Sequence, residues 1–293
     1  MTDMATQDPQ SWVGRSEVCD DNIDAGHMEK VAITLGAGIP EPGDVLPLLW
    51  HWALFVRPVS YDGLGRDGHP VTGGFLPPAD NRNRMWAGGR LNFLQPVLVG
   101  KPAVRKSTIL AINEKEGRTG RLTFVTVRHE ITQDHVLCID EEQDIVYREP
   151  SPPKLEGTLA APEAEWSETV SPSSVMLFRY SAVTFNGHRI HYDQDYVTQE
   201  EGYPGLVVHG PLIATQMCRA FTHAYPDKVA TSLSYRGLRP LIAPTPFNVA
   251  GRLLGNNEAP QGGDTNHGDQ GRAQLWAEQN GTLAHQAELK FKL

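Results

Sequence analysis

The sequence predicts an α+β fold, in which a long central helix is wrapped by an antiparallel sheet, and it predicts this arrangement twice. First, a proline-rich segment over residues 149–163 divides the 293 residues nearly in half. Second, each half contains an apolar helix-like segment. Third, several strand-like runs follow that segment in both halves, an order that is typical of α+β proteins.

Composition limits the kind of protein and its partners. Hydrophobic residues make up 40% and charged residues 21%, as in ordinary globular chains. The net charge of −9 argues against binding nucleic acid or an anionic membrane. The start lacks a signal-peptide pattern, and no apolar run is long enough to span a membrane. Three separated cysteines without a C-x-x-C pair favour reduced thiols and a cytoplasmic location (Cys19, Cys138 and Cys218).

In the first half, Asp44 is a plausible N-cap for a short helix from Val45 to Val56. The tryptophans Trp50 and Trp52 of this segment are predicted to belong to the core. The strand-like runs that follow are Gly89 to Val97, Lys106 to Glu114, Gly120 to Ile131 and Val136 to Glu142.

In the second half, a strand at Glu168 to Val170 leads through the predicted N-cap Ser171 into a helix ending near Thr184. A second helix from about Val208 to Ala224 is apolar around most of its girth, which predicts burial. The strands that follow are Leu233 to Leu241, Phe247 to Leu254, Arg272 to Gln279 and Thr282 to Leu293. The glycine-rich polar segment Asn256 to Gly271 is predicted to be a surface loop.

A polar segment after the first of these helices carries the candidate chemistry. His191 is the natural base near pH 7, and Asn186 can hold a water molecule. The alternatives are a hydrogen-bonded core histidine and an asparagine that only forms a turn before Gly187. Asp193 is interpreted mainly as the N-cap of the next helix. His188 and His191 form H-x-x-H, but without further ligands the pair predicts no metal.

The glycine-rich segment from Gly202 to Pro211 runs into the long helix. A helix N-terminus offers free N–H groups, so Gly210 is the candidate donor to a thioester oxygen that gains negative charge. A second candidate region is the arginine-rich run from Asn81 to Arg90. It predicts either a solvated basic loop or a clamp for a carboxylate or phosphate.

These motifs resemble the MaoC-like, R-specific enoyl-CoA hydratases of the hotdog superfamily, most closely the type 2 hydroxyacyl-thioester dehydratase branch. The branch includes itaconyl-CoA and mesaconyl-C4-CoA hydratases. The family motif D-x-N-P-x-H resembles Asn186 to His191, and I-x-H-G resembles Val207 to Gly210. The chain departs from the family at Asn186, where an aspartate would be expected. An asparagine cannot take a proton, so His191 is the expected proton-transfer group.

The resemblance implies a double hotdog with repeats over residues 20–148 and 164–293, the first repeat being degenerate and shaping the acyl pocket. It implies reversible hydration of a short dicarboxylic enoyl-CoA to citramalyl-CoA, without a cofactor, by a homodimer. The expected catalytic residues are His191, Asn186 and Gly210. The expected substrate contacts are Arg82, Arg84, Trp86, Gly89, Arg90, Tyr203, Gly205, Val208 and His209.

Other functions stay open at the level of the sequence. A hotdog thioesterase would hydrolyse the same thioester bond. An acyl-carrier-protein dehydratase would need a basic docking face, which the negative net charge disfavours. A non-catalytic acyl-CoA-binding subunit would be consistent with the missing aspartate.

Overall fold

Ten antiparallel strands form one continuous sheet in the computed structural model, which describes residues 8–79, 82–117, 120–255 and 270–293. The predicted strands are found, several with longer bounds, but the runs predicted at Gly89 to Val97 and Leu233 to Leu241 begin and end several residues too late. The strands are β1 (Ser16–Asp21), β2 (Asn83–Phe93), β3 (Ala103–Gly117), β4 (Gly120–Gln133), β5 (Val136–Arg148), β6 (Trp166–Val170), β7 (Ala230–Gly237), β8 (Phe247–Leu254), β9 (Gln270–Gln279) and β10 (Thr282–Lys292).

The sheet contains the same strand order twice. The first half follows β1-β3-β4-β5-β2 and the second follows β6-β8-β9-β10-β7. The two halves join where β2 pairs with β7, from Gly88 opposite Arg236 to Asn92 opposite Ser232. Matching short bridges also link Val45 to Leu98 and Val207 to Ile242. The fold is therefore the predicted double hotdog.

Three α-helices accompany the sheet: α1 (Ala25–Leu35), α2 (Ser174–Val183) and α3 (Gly210–Ala224). Helix α3 is the central helix of the second repeat, and nine of its fifteen residues are buried. Helices α1 and α2 pack against each other. The cap predicted at Ser171 is wrong by two positions, because the Ser173 hydroxyl accepts the Met176 N–H at 3.1 Å.

The first repeat departs from the prediction in its helix. The helix predicted from Val45 to Val56 is reduced to a 3₁₀ turn, Trp50–Ala53. Leu49 and Phe55 flank this turn with positive φ angles of 68° and 56°, which an α-helix cannot contain. Asp44 caps no helix, since its carboxylate accepts the N–H of Glu41. The inner face of β3, β4 and β5 is consequently available to line a cavity.

Two further predictions concern cysteines and loops. The three cysteines are free thiols, as predicted. The predicted polar loop falls largely on residues 256–269, which lie outside the described residues. Within the described ranges, the helices are too short and too polar to cross a membrane.

Candidate active site

The predicted catalytic histidine lies on a tight turn after α2. Phe185 follows the C-cap of α2, Thr184, and has a φ of 51°, a left-handed conformation that is uncommon for a large side chain. The Asn186 carboxamide oxygen then accepts the His188 N–H at 3.0 Å, and a 3₁₀ turn follows at Arg189–His191. The turn therefore places His188 and His191 in a fixed relation to each other.

His191 is held by a hydrogen bond that defines its reactive nitrogen. Its Nδ1–H donates to the Val207 carbonyl at 2.7 Å, so Nε2 is left as an acceptor. Its ring stacks on His209, with centroids 3.6 Å apart. His209 is itself bonded through Nε2 to the Ser181 hydroxyl at 2.8 Å. The glycine-rich segment thus supports the His191 ring from two sides.

Burial keeps these imidazoles neutral. Desolvation lowers the pKa of His191 to about 4, despite the opposing effect of its bond to Val207. Burial also lowers the pKa of His209 and of His188 well below 6.5, and neighbouring histidines add to this effect. A neutral imidazole with a bare Nε2 is free to accept a proton at neutral pH.

The lowered pKa predicts the acid side of the pH–rate profile. Because His191 stays unprotonated well below its ordinary pKa of 6.5, kcat should change less than about twofold between about pH 8 and about pH 5.5. It should fall only as the pH approaches about 4. Steady-state rates in buffers of constant ionic strength would check this. An acid limb centred near 6.5 would contradict the prediction.

Gly210 begins α3 and provides a backbone donor. Its N–H finds no acceptor among the described residues, as expected for the first turn of a helix. Gly210 lies against the Trp86 indole, and a Cβ at this position would be 2.6 Å from Trp86 Cε3. Glycine is therefore required for this close approach, and the free N–H lies beside an apolar wall.

A cavity of about 730 Å³ joins these groups and draws on both repeats. Its second-repeat wall includes Asn186, His188, His191, Tyr203, Val207, Val208 and Gly210. Its first-repeat wall includes Trp52, His69, Arg84, Trp86, Arg105, Val127, His129, Gln143, Ile145 and Arg148. The volume suits a small-molecule ligand.

Seven of the twelve predicted site residues line this cavity. They are Asn186, His191, Gly210, Arg84, Trp86, Tyr203 and Val208. Asp193 serves as a cap, as interpreted from the sequence, because its carboxylate accepts the Tyr196 N–H at 3.0 Å. It also pairs with Arg189 at 2.7 Å.

The other five predicted site residues do not line this cavity. Arg90 is exposed and paired with Glu142 and Asp144. Arg82 donates to the Thr123 hydroxyl. Gly89 packs against the Tyr235 hydroxyl and Gly205 against the Ala243 carbonyl. His209 lies behind His191.

Sequence reasoning missed Asp67 and His69, which a loop of the first repeat brings to His188. The rings of His69 and His188 have centroids 4.2 Å apart. Ligand atoms of Asp67, His69 and His188 lie within 4.8 Å of one another, so this trio could hold a metal ion. No periodicity or motif marks the loop, which leaves the sequence without a signal for it.

Known proteins with similar sequences act on acyl thioesters, which agrees with the geometry of the site. The sequence matches the family of type 2 hydroxyacyl-thioester dehydratases over residues 49–243. A mesaconyl-C(4)-CoA hydratase from Chloroflexus aurantiacus is 43% identical over 86% of this chain and 92% of that protein. A mitochondrial type 2 hydroxyacyl-thioester dehydratase from Schizosaccharomyces pombe is 29% identical over 79% of this chain and 85% of that protein.

Solved structures support the fold. A MaoC-like dehydratase superposes with a TM-score of 0.71 at 13% identity, over 98% of this chain and 100% of that one. A Mycobacterium tuberculosis protein described as a double hotdog gives 0.58 at 12% identity, over 96% of both chains. Family match, fold and site geometry agree. The chain therefore belongs to the type 2 hydroxyacyl-thioester dehydratase family of MaoC-like hotdog proteins, and it is a hydro-lyase of the enoyl-CoA hydratase type.

Proposed function

We propose that this protein catalyses the reversible hydration of mesaconyl-C4-CoA to citramalyl-CoA. The Gly210 N–H would polarise the thioester carbonyl, which makes C3 of the conjugated double bond electrophilic. His191 Nε2 would take a proton from water as the hydroxide adds to C3, and would return that proton to C2. Both groups line one cavity, so a single bound thioester can reach both.

The choice of substrate rests on the position of the Arg84 side chain. Arg84 lines the cavity, and its side chain has no hydrogen bond or ion pair to another described residue. Burial lowers the pKa of His69 and of His188, and the charge of Arg84 adds to that effect, which means that Arg84 lies near both rings. An unpaired cation beside the His69 and His188 rings favours an anionic acyl group in this part of the cavity.

The position of Arg84 fits a carboxylate attached to the reacting carbon. In mesaconyl-C4-CoA the free carboxylate is bonded to C3, the carbon that gains the hydroxyl group. A cation that binds this carboxylate must consequently lie close to the base that delivers the water. Itaconyl-CoA has the same carboxylate, but its double bond is not conjugated with the thioester. Polarisation by Gly210 therefore favours mesaconyl-C4-CoA over its itaconyl isomer.

The cavity also has groups suited to the CoA portion. Arg148 and the exposed Lys154 line it, and the Arg148 Nε has no hydrogen-bond partner among the described residues. These cations can bind phosphate groups although the whole chain is acidic. Tyr203 lies beside Arg148 and completes this part of the wall.

A direct assay tests the proposal. Purified protein is given citramalyl-CoA, and the ultraviolet absorbance of the conjugated enoyl thioester is followed, with crotonyl-CoA and itaconyl-CoA measured in parallel. We expect turnover of citramalyl-CoA and of mesaconyl-C4-CoA, with kcat/KM at least about tenfold above that for crotonyl-CoA. Equal or better use of crotonyl-CoA would overturn the substrate assignment. Release of free CoA, detected with a thiol reagent, would instead indicate a thioesterase.

A further inference from the structure

A loop of the first repeat is docked onto the turn that carries the catalytic histidine. The Arg189 N–H donates to the Asp67 carbonyl at 2.8 Å, and the Arg189 side chain donates to the Arg66 carbonyl at 3.1 Å. Gly68 and Gly187 touch through their backbones, so closely that a Cβ on Gly187 would lie 2.6 Å from the Gly68 oxygen. The loop is thus built into the active site from an unrelated part of the sequence.

This loop contributes an oriented imidazole. His69 Nδ1–H donates to Asp67 Oδ2 at 2.9 Å, and the His69 backbone N–H donates to Asp67 Oδ1 at 3.0 Å. With Nδ1 engaged as a donor, the neutral ring has Nε2 as its acceptor. His69 lines the cavity, and its ring adjoins His188, which in turn adjoins His191 at 5.4 Å between centroids.

Asn186 does not supply the second hydrogen-bond acceptor that the attacking water needs, and His69 can supply it. Its carboxamide oxygen accepts the His188 N–H, so that oxygen is engaged in shaping the turn. The Asn186 amide can still donate to the oxygen of a water molecule. The two hydrogens of that water need acceptors, and His191 Nε2 provides one. A second acceptor in this cavity is therefore required to fix the orientation of the attacking water.

We propose that His69, oriented by Asp67, is a further catalytic residue that binds the attacking water together with His191. This inference rests on the proposed hydration. One O–H bond of the water breaks, and its proton passes to His191 Nε2 while the C3–O bond forms. The π electrons move to the thioester oxygen, and the proton on His191 then moves to C2. The other O–H bond stays intact, with its hydrogen bonded to His69 Nε2, and becomes the product hydroxyl.

Three variants test the proposal in the full-length protein. His69→Phe keeps a ring of similar size but removes the acceptor, and we expect kcat to fall about 100-fold, the scale of a misplaced reactant, with KM within about threefold. Asp67→Asn removes the orienting carboxylate, and we expect a smaller fall of at least about tenfold in kcat. Arg66→Gln is the matched control in the same loop, since its exposed side chain does not line the cavity, and kcat should stay within about twofold.

A measurement on the wild-type protein tests the same point without substrate. In ¹⁵N-histidine spectra, assigned by comparison with His69→Phe, His69 should carry its proton on Nδ1 and leave Nε2 bare at neutral pH. In Asp67→Asn this preference should be lost. If the wild-type proton lies on Nε2, His69 cannot accept from water and the proposal is overturned, whether or not the enzyme hydrates mesaconyl-C4-CoA.

Other results separate this proposal from its rivals. A wild-type enzyme that turns over citramalyl-CoA, with a His69→Phe variant of near-normal kcat, would uphold the proposed function and refute the role of His69. Stoichiometric metal in the purified protein, lost from His69→Phe together with activity and removed by a chelator, would identify the trio as a metal site. That outcome would also overturn the water-binding role.

Discussion

Substitution of His191 by asparagine is expected to lower kcat at least about 100-fold, the usual contribution of a general acid–base group. Asparagine is a sharp test because its side-chain N–H₂ can replace the Nδ1–H that donates to Val207 at 2.7 Å. The buried carbonyl therefore keeps a donor, which avoids the penalty of about 1–3 kcal/mol for leaving it unsatisfied. What disappears is Nε2, the acceptor assigned to the reaction.

Two further variants separate chemistry from folding in this experiment. His191→Ala removes both nitrogens, so it should lose the same activity and also melt at a lower temperature than His191→Asn. His223→Gln is the control, because His223 is exposed near the end of α3 and binds only Glu168 among the described residues. Thermal unfolding and steady-state kinetics on the same preparations would check these expectations. Near-normal kcat in His191→Asn would refute the assignment of the base.

Much of the architecture followed from local patterns. The strands β3 and β4 and the helix α3 have clear periodicity, and each was placed within a few residues of its observed bounds, whereas β5 extends well beyond its predicted end at Glu142. The turn from Asn186 to His191 and the start of α3 at Gly210 also carry short motifs with a chemical meaning. Chain segments with strong local signals were thus predictable, together with the residues of the site that lie on them.

Contacts between distant segments were not predictable from local patterns. The segment from Val45 to Val56 is as apolar as a helix, but the left-handed residues Leu49 and Phe55 break it. The Asp67–His69 pair is brought to His188 by backbone contacts between the two repeats. Such contacts depend on how the sheet joins the repeats. They therefore cannot be predicted from the residues of one short segment.

Within the single strand β2, local sequence also fails to predict which face each arginine occupies. Arg84, Trp86 and Arg90 would share a face if the strand alternated regularly. A bulge between Trp86 and Gly88 shifts the register against β5, which moves Arg90 to the opposite face. Regular alternation therefore does not give the face on which each side chain lies, and of Arg82, Arg84 and Arg90 it is Arg84 that lines the cavity.

That separation of faces makes Arg84 the basis of a specificity prediction. In Arg84→Gln, kcat/KM for mesaconyl-C4-CoA should fall about 100-fold, because the substrate carboxylate would enter a half-buried site without its cation. With crotonyl-CoA, which has no such carboxylate, kcat/KM should change less than about threefold. The loss of one charge would then reverse the preference between the two substrates.

The matched control is Arg90→Gln, on the same strand but the opposite face. Arg90 pairs with Glu142 and Asp144 at the surface, so its removal should leave both kcat/KM values within about twofold. The difference between the two substrates matters more than either rate, since a general disturbance of β2 would slow both. A parallel fall for mesaconyl-C4-CoA and crotonyl-CoA in Arg84→Gln would show that Arg84 supports the wall of the cavity and does not recognise the carboxylate.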